Sequence, residues 1–208
     1  MQTIKTKLFF PVFLLVFSTS MNANAQGLKV GDKAADFKLK NVDGGMVSLP
    51  TEASAKGAIL VFTCNQCPFS IAYEDRIMAL HERFAPKGFP VIAINPNDAE
   101  RVPEDSYRNM KKRAREKGFK FAYLHDETQE VAKAYGATRT PHVFLTSKDS
   151  NGQFTVRYIG AIDNNTDDPA AADKKYVESA ITELLEGKEV TVSNTKAIGC
   201  SIKWKQTK

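Results

Sequence analysis

The feature that most constrains this chain is Phe62-Thr63-Cys64-Asn65-Gln66-Cys67-Pro68. The two cysteines stand between a continuous apolar run, Ala58 to Phe62, and a stretch where Tyr73, Ile77, Leu80 and Phe84 repeat at helical spacing. A short continuous apolar run reads as a strand buried on both faces. The periodic stretch reads as an amphipathic helix. Pro68 supports a helix start there, because proline is tolerated in the first helical turn and not deeper. At a helix start, C-x-x-C spacing brings two sulfurs close enough to bridge. On this pattern Cys64 is expected nearest the unpaired N–H groups of the first turn, which stabilise a thiolate. Cys64 would then attack a disulfide, and Cys67 would resolve the mixed disulfide. Two blander readings are a structural disulfide without turnover and half of a zinc site. Structural zinc needs four N or S ligands, and no spacing joins Cys200 and a histidine to this pair.

The rest of the chain alternates between strands and helices. Leu28 to Leu49 reads as an N-terminal segment ending in a hairpin, with its turn at Val42-Asp43-Gly44-Gly45 and Met46 to Leu49 returning; Asp-Gly is a strong hairpin signal. Val91 to Ile94 is a second buried strand, ended by Asn95-Pro96-Asn97-Asp98. Pro103-Glu104-Asp105-Ser106 opens a second helix that stops at Gly118. Phe119 to Leu124 is strand-like, and Glu130 to Tyr135 is a short helix closed by Gly136. Val143 to Leu145 and Val156 to Ile162 read as strands joined at Asn151-Gly152. Val177, Ile181, Leu184 and Leu185 form the stripe of a last helix closed by Gly187. This order predicts an α/β fold with a partly parallel sheet, made mixed by its hairpins. Thr140-Pro141, just before a strand, is a candidate cis bond; the ordinary alternative is a trans proline at a strand's first residue.

The ends carry separate signals. Met1 to Lys7 holds two lysines and no acid, Leu8 to Phe17 is apolar, and Ala23-Asn24-Ala25 follows. That is the three-part pattern of a secretory signal peptide over residues 1–25, and it predicts an exported protein, periplasmic or secreted. A membrane anchor needs about 20 apolar residues, and Pro11 sits inside this run. No stable membrane insertion is expected after cleavage, and no cysteine follows the cleavage point to accept a lipid. The expected domain is 26–187, followed by a tail over 188–208. Charged residues are 25% and apolar residues 42%, as in ordinary globular proteins. The formal charge of +5 is too mild to argue for nucleic acid. Three cysteines exclude a disulfide-dense scaffold.

A C-x-x-C after a buried strand, together with Thr140-Pro141 before a later one, resembles the thioredoxin fold. Val30-Gly31-Asp32-Lys33-Ala34-Ala35-Asp36-Phe37, and Asp43-Gly44 with Val47-Ser48-Leu49, resemble the redoxin branch that includes the alkyl hydroperoxide reductase and thiol-specific antioxidant proteins. Within it, Cys64-Asn65-x-Cys67-Pro68, Ala72-Tyr73-Glu74-Asp75-Arg76, Ile94 to Asp98 and Gly199-Cys200-Ser201-Ile202-Lys203-Trp204 are similar to a group of thioredoxin-like, peroxiredoxin-like bacterial proteins. The resemblance implies a thioredoxin-like α/β fold, a mixed central sheet flanked by helices with an N-terminal hairpin. It also implies that Cys64 and Cys67 are the redox pair and that Pro141 is a cis proline shaping the substrate groove. Thr140 would offer its backbone to an extended substrate segment. The implied activity is thiol–disulfide exchange without a cofactor. The implied partners are a protein disulfide substrate and an upstream thiol-redox protein. Two departures stand out: Thr63 replaces the tryptophan usual in thioredoxins, and Ala58 to Phe62 lacks their buried acid. Glu74 and Asp75 read as surface charges.

Thiol peroxidase is the main rival, with Cys67 attacking and Cys64 resolving. Peroxiredoxins place a threonine three residues before the reactive cysteine and a proline seven before it. Aligned on Cys67-Pro68, those positions are Cys64 and Leu60. Arg139 lies near where that family places an arginine beside the thiolate; otherwise it is a solvated loop charge. Copper handling is a lesser alternative, since thiolates favour Cu(I), but His125 and His142 show no metal-binding spacing, and no metal site is expected. Cys200 reads as a buried apolar residue, an intermolecular bridge or a second resolving thiol.

Overall fold

The apolar run ahead of the cysteines becomes the middle of a sheet covered on both sides. The computed structural model describes residues 27–206, so the expected leader over 1–25 lies outside the described residues. Its strands are β1 (Leu39–Asn41), β2 (Met46–Val47), β3 (Gly57–Phe62), β4 (Val91–Asn95), β5 (Ala122–His125), β6 (Arg139–Thr140), β7 (His142–Lys148), β8 (Phe154–Gly160) and β9 (Cys200–Ser201). Its α-helices are α1 (Pro68–Phe84), α2 (Tyr107–Lys117), α3 (Glu130–Tyr135) and α4 (Tyr176–Leu185).

Seven strands form one sheet in the order β2-β1-β5-β4-β3-β7-β8, while β6 and β9 pair separately. The parallel strands β3, β4 and β5 are joined through α1 and α2, as parallel neighbours require a crossover. The hairpins β1–β2 and β7–β8 add antiparallel pairs. β3 explains the two-sided covering. Ile59 and Val61 belong to one core cluster, with side chains of α1, α2 and α4. Ala58, Leu60 and Phe62 belong to the other, with Phe37, Tyr135 of α3 and Ile202 of the C-terminal segment. No described helix is long and apolar enough to cross a membrane.

Three local expectations shift. The helix expected to open at Pro103 is instead a 3₁₀ turn over Pro103–Asp105, and α2 begins only at Tyr107 after an extended Ser106. The turn points the Asp105 carboxylate inward, where three groups donate to it. The strand expected from Phe119 starts at Ala122, because Phe119 and Phe121 stack on each other, 4.7 Å between ring centres, ahead of the pairing with β4. Glu74 is buried rather than a surface charge; Arg113 donates to both of its oxygens at 2.6 and 2.9 Å, clamping α1 to α2.

The tail does not hang free. Residues 193–195 bond along Ile159, and β9 lies antiparallel to β6 with Thr140 opposite Cys200. Gly199 has to be glycine: a Cβ there would sit 2.2 Å from the Thr140 carbonyl oxygen. Beyond it, Ile202 is buried, and Lys203 and Lys205 bond to Asn97 and Gln129. Residues 202–205 thereby lie against the segments that follow β4 and β5.

Candidate active site

α1 starts at Pro68, so its N-cap is Cys67 and not Cys64. Cys67, rather than the expected Cys64, therefore lies nearest the first-turn N–H groups. Pro68 has no N–H to offer and fixes the helical φ at the first position, so the first-turn donors face the residue just before it. The N–H of Ser70 stabilises the Cys67 sulfur without forming a capping hydrogen bond. The Cys200 N–H donates to the same sulfur at 3.4 Å.

Cys67 is held below the ordinary thiol range. The largest cause is the hydrogen bond from the Cys64 thiol; the Cys200 thiol and the two backbone N–H groups add to it, while burial opposes. Cys64 is pushed well above that range, first by its bond to Cys67, then by burial, then by the negative charge of Asp105. The two shifts run in opposite directions and favour ionisation at Cys67 over Cys64. One neighbour acts the other way. The Thr140 carbonyl lies 3.1 Å from Cys67 Sγ and accepts a bond only from the protonated thiol. Cys64 Sγ also lies 3.2 Å from Thr140 Oγ1 and 3.8 Å from Ser70 Oγ. All three cysteines are free thiols.

Thr140-Pro141 is cis and meets the cysteines directly. Thr140 touches both sulfurs through its carbonyl and hydroxyl. The backbone edge of Thr140, expected to receive a substrate segment, is occupied here by Cys200. Arg139 is exposed, and its guanidinium donates to the Gly199 carbonyl at 2.9 Å, so it grips the tail rather than the Cys67 sulfur. His142 is buried against Phe144, with Nδ1 turned to the Thr138 N–H. Among the described residues, no group of three His, Cys, Asp or Glu side chains is placed to hold a metal.

Sequence reasoning missed Asp105. It is fully buried, and its oxygens accept from the Asn65 N–H (2.6 Å), Asn95 Nδ2 (3.2 Å) and Asn97 Nδ2 (2.8 Å). Asn65 is bound further: its Nδ2 donates to the Glu104 carbonyl at 2.7 Å, and its Oδ1 accepts from Tyr123 Oη at 2.9 Å. Burial keeps that Tyr123 hydroxyl protonated, so it serves as donor. Asn65, the first of the two residues between the cysteines, is thus fixed from three sides. A usable signal was present, since Asn95 and Asn97 at a buried strand end need an acceptor. A buried acid is thus present beside Asn65, on the 3₁₀ turn rather than on β3. Cys64, Cys67, Asp105, Cys200 and Lys203 all line one cavity of about 350 Å³, whose exposed side is marked by Gln66 and Pro68.

The burial of His142 gives a stability prediction. Desolvation lowers it from 6.5 to about 4. The unfolded chain takes up this proton below about pH 6.5, but the folded protein does not until about pH 4, so stability falls as pH drops between the two. The expected loss is up to about 3 kcal/mol. Urea midpoints at pH 7 and pH 4.5 should separate accordingly, and His142→Gln should shrink the gap. An equal gap in the variant would contradict the assignment.

The chain is similar to several known proteins. A solved structure of an uncharacterized conserved protein from Geobacillus kaustophilus is 40% identical, with a TM-score of 0.79, covering 86% of this chain and 94% of its own. A hypothetical protein from Sinorhizobium meliloti is 31% identical, with a TM-score of 0.78, covering 87% and 97%. Thiol-disulfide oxidoreductase ResA of Bacillus cereus is 23% identical over 153 residues, 68% of this chain and 82% of that protein. The fold is thioredoxin-like, with its mixed central sheet flanked by helices and an N-terminal hairpin. The AhpC/TSA family model matches residues 30–162. With well over half of its length matched, the chain belongs to the AhpC/TSA family, as a thioredoxin-fold redoxin related to ResA.

Proposed function

We propose that this protein is an exported thiol–disulfide oxidoreductase in which Cys67 attacks and Cys64 resolves. The carrying observation is the position of Cys67: it is the N-cap of α1, and its sulfur accepts from the Cys200 N–H at 3.4 Å. In the first step the Cys67 thiolate attacks one sulfur of a substrate disulfide, and the other sulfur leaves as a thiolate that takes a proton from water. In the second, Cys64 gives up its proton and attacks Cys67 Sγ, closing the Cys64–Cys67 disulfide and releasing the reduced substrate. Two electrons move from the cysteine pair to the substrate. An upstream thiol-redox partner returns them. The kinship with ResA supports this chemistry. The leader-like pattern of residues 1–25 supports a location outside the cytoplasm, where protein disulfides persist.

The test is reduction of insulin by dithiothreitol with and without the protein. Acceleration that disappears in Cys67→Ser is expected. No acceleration, or acceleration surviving in Cys67→Ser, would contradict the reading. The stabilised thiolate directly before Pro68 favours one second reading, thiol peroxidase. It requires that Cys67 be oxidised by hydrogen peroxide far faster than a free thiol. A rate equal to that of a free thiol would remove it.

A further inference from the structure

Three sulfurs, not two, meet at the start of α1. Cys67 lies in the middle. Cys64 lies beside it, both sulfurs reaching Thr140, and Cys200 donates its N–H to the Cys67 sulfur at 3.4 Å. All three line the same cavity. Cys200 is held there by its pairing with Thr140, by the close passage of Gly199 over the Thr140 carbonyl, and by Arg139 on the Gly199 carbonyl. The pairing sets Cys200 where an extended substrate segment would present its own cysteine to Cys67.

We propose that Cys200 is a third redox-active thiol of this site, which resolves a mixed disulfide on Cys67 by forming a Cys67–Cys200 disulfide. The proposal rests on Cys67 being the attacking thiolate. The step balances: the Cys200 sulfur attacks Cys67 Sγ, the bond from Cys67 to the substrate breaks, and the departing substrate thiolate takes the proton from Cys200. The Cys67–Cys200 pair loses two electrons and the substrate gains them. Cys64 stays reduced and can attack Cys67 in turn, exchanging one disulfide for the other without any outside oxidant.

The electrostatics time this step. Cys200 is raised to about 11, first by burial and then by its bond to Cys67 and the charge there, while Lys203 and Arg139 pull the other way. Once a mixed disulfide caps Cys67, its negative charge is gone and the two cations remain. Cys200 then ionises more readily at the moment when it is needed.

The test treats the reduced wild type, Cys64→Ser, the double variant Cys64→Ser/Cys200→Ser, and Gly199→Ala with oxidised glutathione, followed by intact mass and non-reducing peptide mapping. In Cys64→Ser, the glutathione adduct on Cys67 should give way to a Cys67–Cys200 disulfide. In the double variant the adduct should persist. In Gly199→Ala, whose methyl group pushes the tail from the Thr140 carbonyl, the Cys67–Cys200 form should appear about tenfold more slowly or worse, with the Cys64–Cys67 form retained. If Cys64→Ser accumulates the adduct just as the double variant does, the proposal is overturned while the exchange reading stands. If Cys67 takes up no glutathione in any form, both fail together.

Discussion

Replacing Cys67 with serine is expected to lower the rate of disulfide exchange by about three orders of magnitude or more, because a hydroxyl neither ionises near neutral pH nor attacks sulfur as a thiolate does. Cys64→Ser is expected to be milder, since the attacking thiolate survives and Cys200 still flanks it. That asymmetry is the signature of the site. An arrangement with Cys64 attacking would show the opposite order, with Cys64→Ser the more damaging change. Single-turnover reaction with oxidised glutathione isolates the attack from the later steps. Cys64→Ala removes the donor at that position altogether, so its remaining reactivity should move to higher pH than that of the wild type.

Asp105→Ala is expected to destabilise the protein by about 3–5 kcal/mol, measured by urea unfolding, and to slow exchange in whatever remains folded. The carboxylate satisfies three buried donors, from Asn65, Asn95 and Asn97. Each buried donor left unpaired costs about 1–3 kcal/mol, and the alanine also leaves a void between the 3₁₀ turn and β4. Asp105→Asn separates packing from charge. It keeps the volume and one acceptor, but turns an amide toward amides that also donate. It also removes the negative charge that helps hold the proton on Cys64. Stability between those of the wild type and Asp105→Ala is expected, together with a Cys64 thiol that ionises at lower pH. An Asp105→Ala protein as stable as the wild type would contradict the network.

The parts legible in the sequence are those that local pattern determines. The buried strand Gly57–Phe62, the helix bearing Tyr73, Ile77, Leu80 and Phe84, and the short helix closed by Gly136 follow from periodicity and capping residues a few positions apart. The pairing of cysteines with Thr140-Pro141 was readable because the motif and its context recur together. What escaped depends on contacts between distant residues. Asp105 follows Pro103 and Glu104, a pattern that opens helices, and only its partners at 65, 95 and 97 show why it turns inward. The tail carries weak periodicity, so nothing near Cys200 announces that it lies against Cys67. Which cysteine holds the thiolate turns on whether α1 begins before or after Cys67. That is a matter of one turn, the least certain feature of any helix read from sequence. Pro68 was read as a sign of the helix start, and in the fold it marks the first position itself.

The most direct test of the account is the pH dependence of alkylation at each cysteine. The fully reduced protein is treated briefly with iodoacetamide from pH 4 to pH 10, and labelling at Cys64, Cys67 and Cys200 is quantified by peptide mapping. The account predicts that Cys67 is labelled first, at pH values well below those at which an ordinary thiol ionises, and that Cys64 and Cys200 follow only at alkaline pH. Labelling of Cys64 ahead of Cys67, or all three rising together near the usual thiol range, would contradict it.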